Sequence, residues 1–223
     1  TGSELMTKKL ITLSGTATSA AEAYRALRTN IMFSDGDAKQ RVLLICSSAP
    51  EQDGEGKSKV AANLAVTLAQ SGRDTLLVDC DLRHPMQHEI WGVSNEHGIS
   101  NALIEGDELS TNDVGVDHLS VVTAGPRPDN PADLLGSTGM ETLVAGLRQK
   151  AEFVLIDSSP VLPVTDAALL SVYTDGVLLV LSAGVSRRAH AERACEMLEQ
   201  VGARIVGAVL NNAPVDSSMK SYL

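Results

Sequence analysis

Between residues 47 and 63 the chain reads SSAPEQDGEGKSKVAAN, with an apolar run leading in and an amphipathic run leading out. That pattern predicts a strand, a tight loop and a helix, in that order. Within it, Gly54, Glu55, Gly56, Lys57 and Ser58 form the G-x-G-K-[ST] end of a Walker A sequence. Two glycines let the backbone close around phosphate oxygens, and a helix starting near Lys57 aims its unpaired N–H groups and positive dipole end at them. Lys57 is expected to reach the β- and γ-phosphates and the Ser58 hydroxyl to ligate Mg²⁺, with Lys59 counted among the nucleotide-binding residues. The first half of the loop departs from the standard form. Glu51 stands five residues before Gly56, where Gly, Ala or Ser is usual. Either Glu51, Gln52 and Asp53 are an insertion after Ala49 and Pro50, or the loop has another shape. The plain alternative is a glycine-rich turn carrying a surface lysine.

Six apolar runs, at 42–46, 75–79, 119–123, 153–157, 176–181 and 205–210, are separated by helical or loop segments. Several are continuous rather than alternating, as strands buried on both faces of a parallel sheet must be. Helices are expected at 19–33, 57–71, 137–150, 165–172 and 187–201, with Gly72 and Gly202 just past two of their ends. Ser19 and Glu22 have the spacing of a capping box for the first. Residues 7–16 read as an irregular arm, and 106–116 as an acidic surface loop. The expected fold is α/β: a doubly wound, mostly parallel sheet with helices on both faces, one domain over 18–223 after an arm at 1–17. Ligands of such sheets bind beyond the carboxyl ends of the strands.

Two runs end in carboxylates at that edge. The second closes as VDCDLR, setting Asp79, Asp81 and Arg83, the last counted among the nucleotide-binding residues, just past the sheet, and the fourth closes as LIDSSP with Asp157 last. A buried strand ending in aspartate needs a partner for the charge, and Mg²⁺ bridging phosphates suits oxygen ligands. Each aspartate alone could instead cap the following turn, but their convergence on a phosphate loop favours the metal. Asn211 ends the last run near the same edge, where an amide can pair with adenine or simply form a turn. His84 and His88 are four apart, but Pro85 lies between them and no third ligand is evident. Arg187, Arg188, His190 and Arg193 open a helix that later carries Glu192, Glu196 and Glu199, a solvated amphipathic face. Glu22, Arg25 and Arg28 share one stripe of the first helix, by spacing a solvated face too.

A net charge of −10 argues against wrapping nucleic acid, though not against ATP. Three cysteines without C-x-x-C spacing suit a reducing cytoplasm and neither a disulfide scaffold nor a zinc site. No signal peptide and no bilayer-length apolar stretch is visible, so the chain reads as soluble. Thr1, Gly2 and Ser3 read as a cloning remnant, and the chain as a domain excised from something larger.

With Walker A, D-x-D-x-R and I-D-x-x-P in this order, the chain resembles the cytoplasmic domain of bacterial tyrosine kinases, the BY-kinases of capsular and exopolysaccharide export. The resemblance, which covers nearly the whole chain, is carried by AAEAYRALRTNIMFS, GEGKSKVAANLAVTLAQSG, LLVDCDLRHP, NPADLL and FVLIDSSPVLPVTDA. It implies a P-loop fold using ATP and Mg²⁺, in which Lys57 grips phosphate, Ser58 ligates the metal, Asp79 and Asp81 are the Walker A′ pair and Asp157 is Walker B. It implies that Glu22, Arg25 and Arg28, matching E-x-x-R-x-x-R, are the surface through which subunits associate into rings. It also implies a membrane-spanning polysaccharide co-polymerase as activator, fused or separate, placing the domain at the inner face of the membrane, and a protein-tyrosine phosphatase as partner. The family's C-terminal tyrosine cluster is reduced here to Tyr222 in MKSYL, the expected phospho-acceptor. Two rival readings are a positioning or partition switch ATPase and a non-catalytic nucleotide-binding scaffold. The first carries an early loop lysine, and none stands between Arg41 and Lys57.

Overall fold

Every position of strand β1 (Val42–Ser47) is buried, and the pleat sends Val42, Leu44 and Cys46 to one face while Leu43 and Ile45 go to the other. Both faces are therefore covered, as the continuous apolar runs require. The computed structural model describes residues 10–14, 18–33, 42–49 and 56–214. The expectations for Gly54, Glu55, Tyr222 and residues 51–53 fall outside them. In chain order the described helices are α1 (Ser19–Phe33), α2 (Lys57–Ala69), α3 (Gln87–Trp91), α4 (Ile99–Ile104), α5 (Pro131–Leu135), α6 (Thr138–Lys150), α7 (Asp166–Ser171) and α8 (Arg188–Gln200). The strands after β1 are β2 (Thr75–Asp79), β3 (Asn112–Asp113), β4 (Leu119–Val122), β5 (Phe153–Asp157), β6 (Gly176–Ser182) and β7 (Ile205–Asn211).

The sheet runs β3-β4-β2-β5-β1-β6-β7, parallel throughout except for the antiparallel β3–β4 pair. β1 lies inside it, between β5 and β6, so the loop leaving β1 opens where the chain can turn to either side. On one face Met140, Val144, Leu147, Leu170, Ala194 and Leu198 pack from α6, α7 and α8. On the other lies α2, apolar on nearly all sides, with Leu64, Val66 and Leu68 fully buried between the sheet and α1. Removing a side chain such as Leu64 from this layer costs about 2–5 kcal/mol, the range for Leu→Ala in a well-packed core.

Four local expectations are corrected. The cap of α1 is Thr18, whose Oγ1 accepts from Ala21 N–H at 3.1 Å, so the S-x-x-E pattern starts one residue too late. Residues 106–116 are not all loop, because Asn112–Asp113 pairs with Val121 and Ser120 as β3. The described part of the arm is fastened: Ile11–Leu13 forms a 3₁₀ turn, Leu10 is buried, and Asn63 Oδ1 accepts from both Thr12 N–H and Thr12 Oγ1. Helices α3, α4 and α5, of five or six residues each, were not expected at all.

Candidate active site

Register builds the centre of the site. β2 and β5 are neighbouring parallel strands in which Asp79 faces Asp157, and both carry their side chains toward the face covered by α2. Two carboxylates are thereby set about one strand spacing apart, ~4.8 Å. Both are fully buried. Burial, and then the neighbouring Asp157, pushes the Asp79 carboxyl up to about 8. The Asp157 carboxyl is also raised, by burial above all, against the pull of Lys57 and Gln87.

The start of α2 brings a cation to them. Gly56 caps α2 with φ of 75°, a left-handed conformation, and a Cβ there would stand 2.5 Å from Asn211 Nδ2. Only glycine satisfies both demands. From the first turn of α2, Lys57 sends Nζ to 2.8 Å from Asp81 Oδ2 and 3.7 Å from Asp157 Oδ1. Its own desolvation works against the charge, but Asp157 and Asp81 outweigh it and the ammonium is held more firmly than usual. Asp81 is lowered in return: burial opposes ionisation, and Lys57 overcomes it. Ser159 Oγ and His84 N–H donate to Asp81 Oδ1 at 2.9 and 3.1 Å, which fixes the carboxylate with Oδ2 turned to the lysine.

The two strand-end aspartates prove to be different. Asp79 accepts main-chain N–H bonds from Asp81, Met86 and Gln87, at 3.1, 3.0 and 2.9 Å, the arrangement of a cap that holds the following loop. Asp157 accepts the Gln87 amide on Oδ2, at 2.8 Å, and is also drawn down by the Ser58 hydroxyl, while its buried Oδ1 has no partner at hydrogen-bond geometry among the described residues and faces Lys57 Nζ at 3.7 Å. A buried carboxylate oxygen without a close hydrogen bond costs free energy unless a cation meets it, and here the Lys57 ammonium does so at ion-pair distance. The oxygen suited to a cation therefore belongs to Asp157, with the Ser58 hydroxyl 3.3 Å from the same lysine.

Three expected ligands sit differently from their sequence reading. Arg83 forks onto the buried Asp166 through Nε and an Nη, at 2.7 and 3.0 Å, instead of standing open to a nucleotide. Lys59 is exposed on α2, outside the cluster. Asn211 does reach the loop, but its amide lies on Gly56. On α1, Arg25 pairs with Glu22 at the surface, while Arg28 donates to Thr67 C=O of α2 at 3.3 Å and so helps to dock the helix. Sequence reasoning missed Gln87, Ser159 and Asp166. The last two lie in the quoted IDSSPVLPVTDA stretch, and Gln87 is signalled only by its i, i+4 spacing from the single tryptophan, Trp91.

A family model described as ParA, NUBPL iron-transfer P-loop NTPase, matches residues 39–220. The putative tyrosine-protein kinase CapB of Staphylococcus aureus is 37% identical over 204 residues, which are 91% of this chain and 88% of that protein. This chain belongs to the bacterial tyrosine-protein kinases. Tyrosine-protein kinase YwqD of Bacillus subtilis agrees, at 36% identity over 92% of this chain and 86% of its own length. Among solved structures, the chimerical protein CapA2B2 superposes with a TM-score of 0.87 at 38% identity, covering 92% of this chain and 90% of that one. The P-loop fold and the family expected from the motifs are both borne out, and ATP is the nucleotide that a kinase of this fold binds. No helix of the described residues is long and apolar enough to cross a membrane.

Proposed function

We propose that this BY-kinase domain transfers the γ-phosphoryl group of ATP, with Mg²⁺, to a C-terminal tyrosine of a neighbouring copy, and that this regulates capsular or exopolysaccharide synthesis and export. The observation that carries the reading is the convergence of Lys57, Ser58, Asp81 and Oδ1 of Asp157 at the start of α2. The donors suit magnesium. Among the described residues no three His, Cys, Asp or Glu side chains could enclose a metal by themselves. Mg²⁺ requires no such cage, since it takes one or two protein oxygens and completes its shell with phosphate and water. Ser58 Oγ and Asp157 Oδ1 would hold it, and when bound it neutralises charge between the phosphates.

The chain's own residues supply the rest. Lys57 exchanges Asp81 for phosphate oxygens, which leaves Asp81 without its cation and therefore more basic. A tyrosine hydroxyl, with pKa near 10, is a weak nucleophile until a base takes its proton. Asp81 Oδ2 is that base, its partner oxygen held by Ser159 and His84. As the phenol oxygen bonds to the γ-phosphorus and the bond to the β-phosphate oxygen breaks, the proton passes to Asp81 and ADP leaves. Tyr222 is the proposed acceptor. Tyr24 is unsuited to the part, its hydroxyl pushed up to about 12 by burial against a hydrogen bond from Asn63.

Incubating the protein with Mg-ATP and probing for phosphotyrosine tests the reading. The kinase yields phosphotyrosine and ADP. A switch ATPase yields free phosphate without phosphotyrosine, and a scaffold yields neither. The ring, the membrane-spanning activator and the phosphatase belong to the same proposal, supported by the E-x-x-R-x-x-R stripe on α1 and by kinship with the tyrosine kinases.

A further inference from the structure

Gln87 is fully buried at the start of α3, and every polar atom of its side chain is engaged. Nε2 donates to Asp157 Oδ2 at 2.8 Å and to Ser58 C=O at 3.0 Å. Oε1 accepts from Trp91 Nε1–H at 3.1 Å. The main-chain N–H of the same residue goes to Asp79 Oδ2 at 2.9 Å. The amide orientation is dictated by these neighbours. An indole N–H can only donate, so it must face the oxygen, while a carboxylate and a carbonyl can only accept, so they must face the nitrogen. No other side chain of similar length offers two N–H donors beside a strong acceptor: ionised glutamate cannot donate, lysine cannot accept, and the methionine thioether is no donor and only a weak acceptor.

One residue thus ties together the first turn of α2, the end of β2 and the end of β5. Gln87 occupies one oxygen of Asp157, and the other, Oδ1, has no partner at hydrogen-bond geometry among the described residues and is turned to Lys57, 3.7 Å from Nζ. We propose that Gln87, locked by Trp91, is a positioning residue that fixes the Asp157 carboxylate so that Oδ1 faces the magnesium-bound nucleotide. This rests on the magnesium–nucleotide reading above. Outer partners of a metal-ligating carboxylate set its orientation, and their loss typically weakens metal binding about 10–100-fold.

Calorimetric titration of ADP, with and without Mg²⁺, separates positioning from plain support of the fold. Gln87→Met keeps the volume and removes the hydrogen bonds. Its metal-free affinity for ADP is expected to stay within about twofold of the parent, while the tightening conferred by Mg²⁺ shrinks about tenfold. Undiminished tightening, or an equal loss with and without the metal, overturns the proposal. Should that variant fail to fold, Trp91→Phe leaves Gln87 in place without its indole donor and is expected to lose part of the same tightening. Full retention there overturns it as well. A parent chain whose ADP affinity ignores Mg²⁺ defeats the function proposed above, and Gln87's role with it. Tightening in the parent that Gln87→Met retains defeats the positioning role alone.

Discussion

Lys57 is paired with Asp81 and, in the proposed mechanism, exchanges it for phosphate, so its replacement has two consequences. Lys57→Met is expected to abolish phosphotyrosine formation with Mg-ATP. It also strips the cation from two buried carboxylates, so the folded protein should lose about 3 kcal/mol, the low end for a buried pair deprived of one partner, since the carboxylates can take up protons. Phosphorylation assays and urea denaturation check both, and unchanged phosphorylation would remove Lys57 from the mechanism. Asp79 supplies a pH signature. In the unfolded chain its pKa is about 3.9, and in the fold it is pushed up to about 8 by burial and by Asp157. Between those values the native state holds a proton that the unfolded state has released, so this group's contribution to stability falls as pH rises. Asp81, lowered by Lys57 despite its burial, acts oppositely: its contribution is present above the unfolded value and lost on acidification. Metal-free protein should therefore lose stability between about pH 5 and pH 8, and Asp79→Asn should flatten that slope. An unaltered slope in the variant would assign the titration to another group. The sequence exposed Lys57, Asp79, Asp81 and Asp157 through their motifs. It could not distinguish the capped aspartate from the open one, because that depends on which N–H groups a loop seven residues farther on brings back.

At the scale of elements, six of the seven described strands are legible within about two residues at either end; in five of them burial on both faces forces an apolar run, while the edge strand β7 reads the same way although its side chains are only partly covered. The seventh, β3, has two polar residues on an edge and carries no such mark. Helices α3, α4 and α5 are too short for a periodic pattern, and α3 was where the decisive amide lay. Helix α1 shows a different limit: its charged stripe was visible, but not that its members do unlike things. Arg25 and Glu22 form an exposed pair of the kind worth about 0–1 kcal/mol, whereas Arg28 spans to the backbone of α2. Light scattering and thermal melts on single variants separate the roles. Arg25→Ala is expected to shrink the oligomer with little change in melting temperature. Arg28→Ala should do the same and in addition cost about 1 kcal/mol through the lost hydrogen bond, and the double variant should be monomeric. An undiminished oligomer in the double variant would return the stripe to a solvated face.

For the molecule as a whole, the question is whether a chain phosphorylates itself or its neighbour. The proposed catalytic cluster is sunk at the strand ends, with Asp81 and Asp157 almost wholly buried and Lys57 mostly so. An acceptor must therefore be threaded in as an extended segment, which a tail from an adjacent copy in a head-to-tail ring supplies naturally. Two defective chains test this. Lys57→Met cannot transfer phosphate but keeps Tyr222, and Tyr222→Phe keeps the catalytic cluster but offers no terminal acceptor. Each alone should give little phosphotyrosine. Mixed with Mg-ATP, they should label the Lys57→Met chain, at a rate per chain that rises with total concentration. A mixture as silent as its components, beside a parent whose rate is independent of dilution, would mean transfer within one chain and would remove the ring from the mechanism. If transfer does cross between copies, each phosphate adds about −1.5 to −2 charges at the junction of subunits in a protein that already carries −10. The labelled ring should then come apart faster than the unlabelled one, and more so at low salt, where repulsion is least screened.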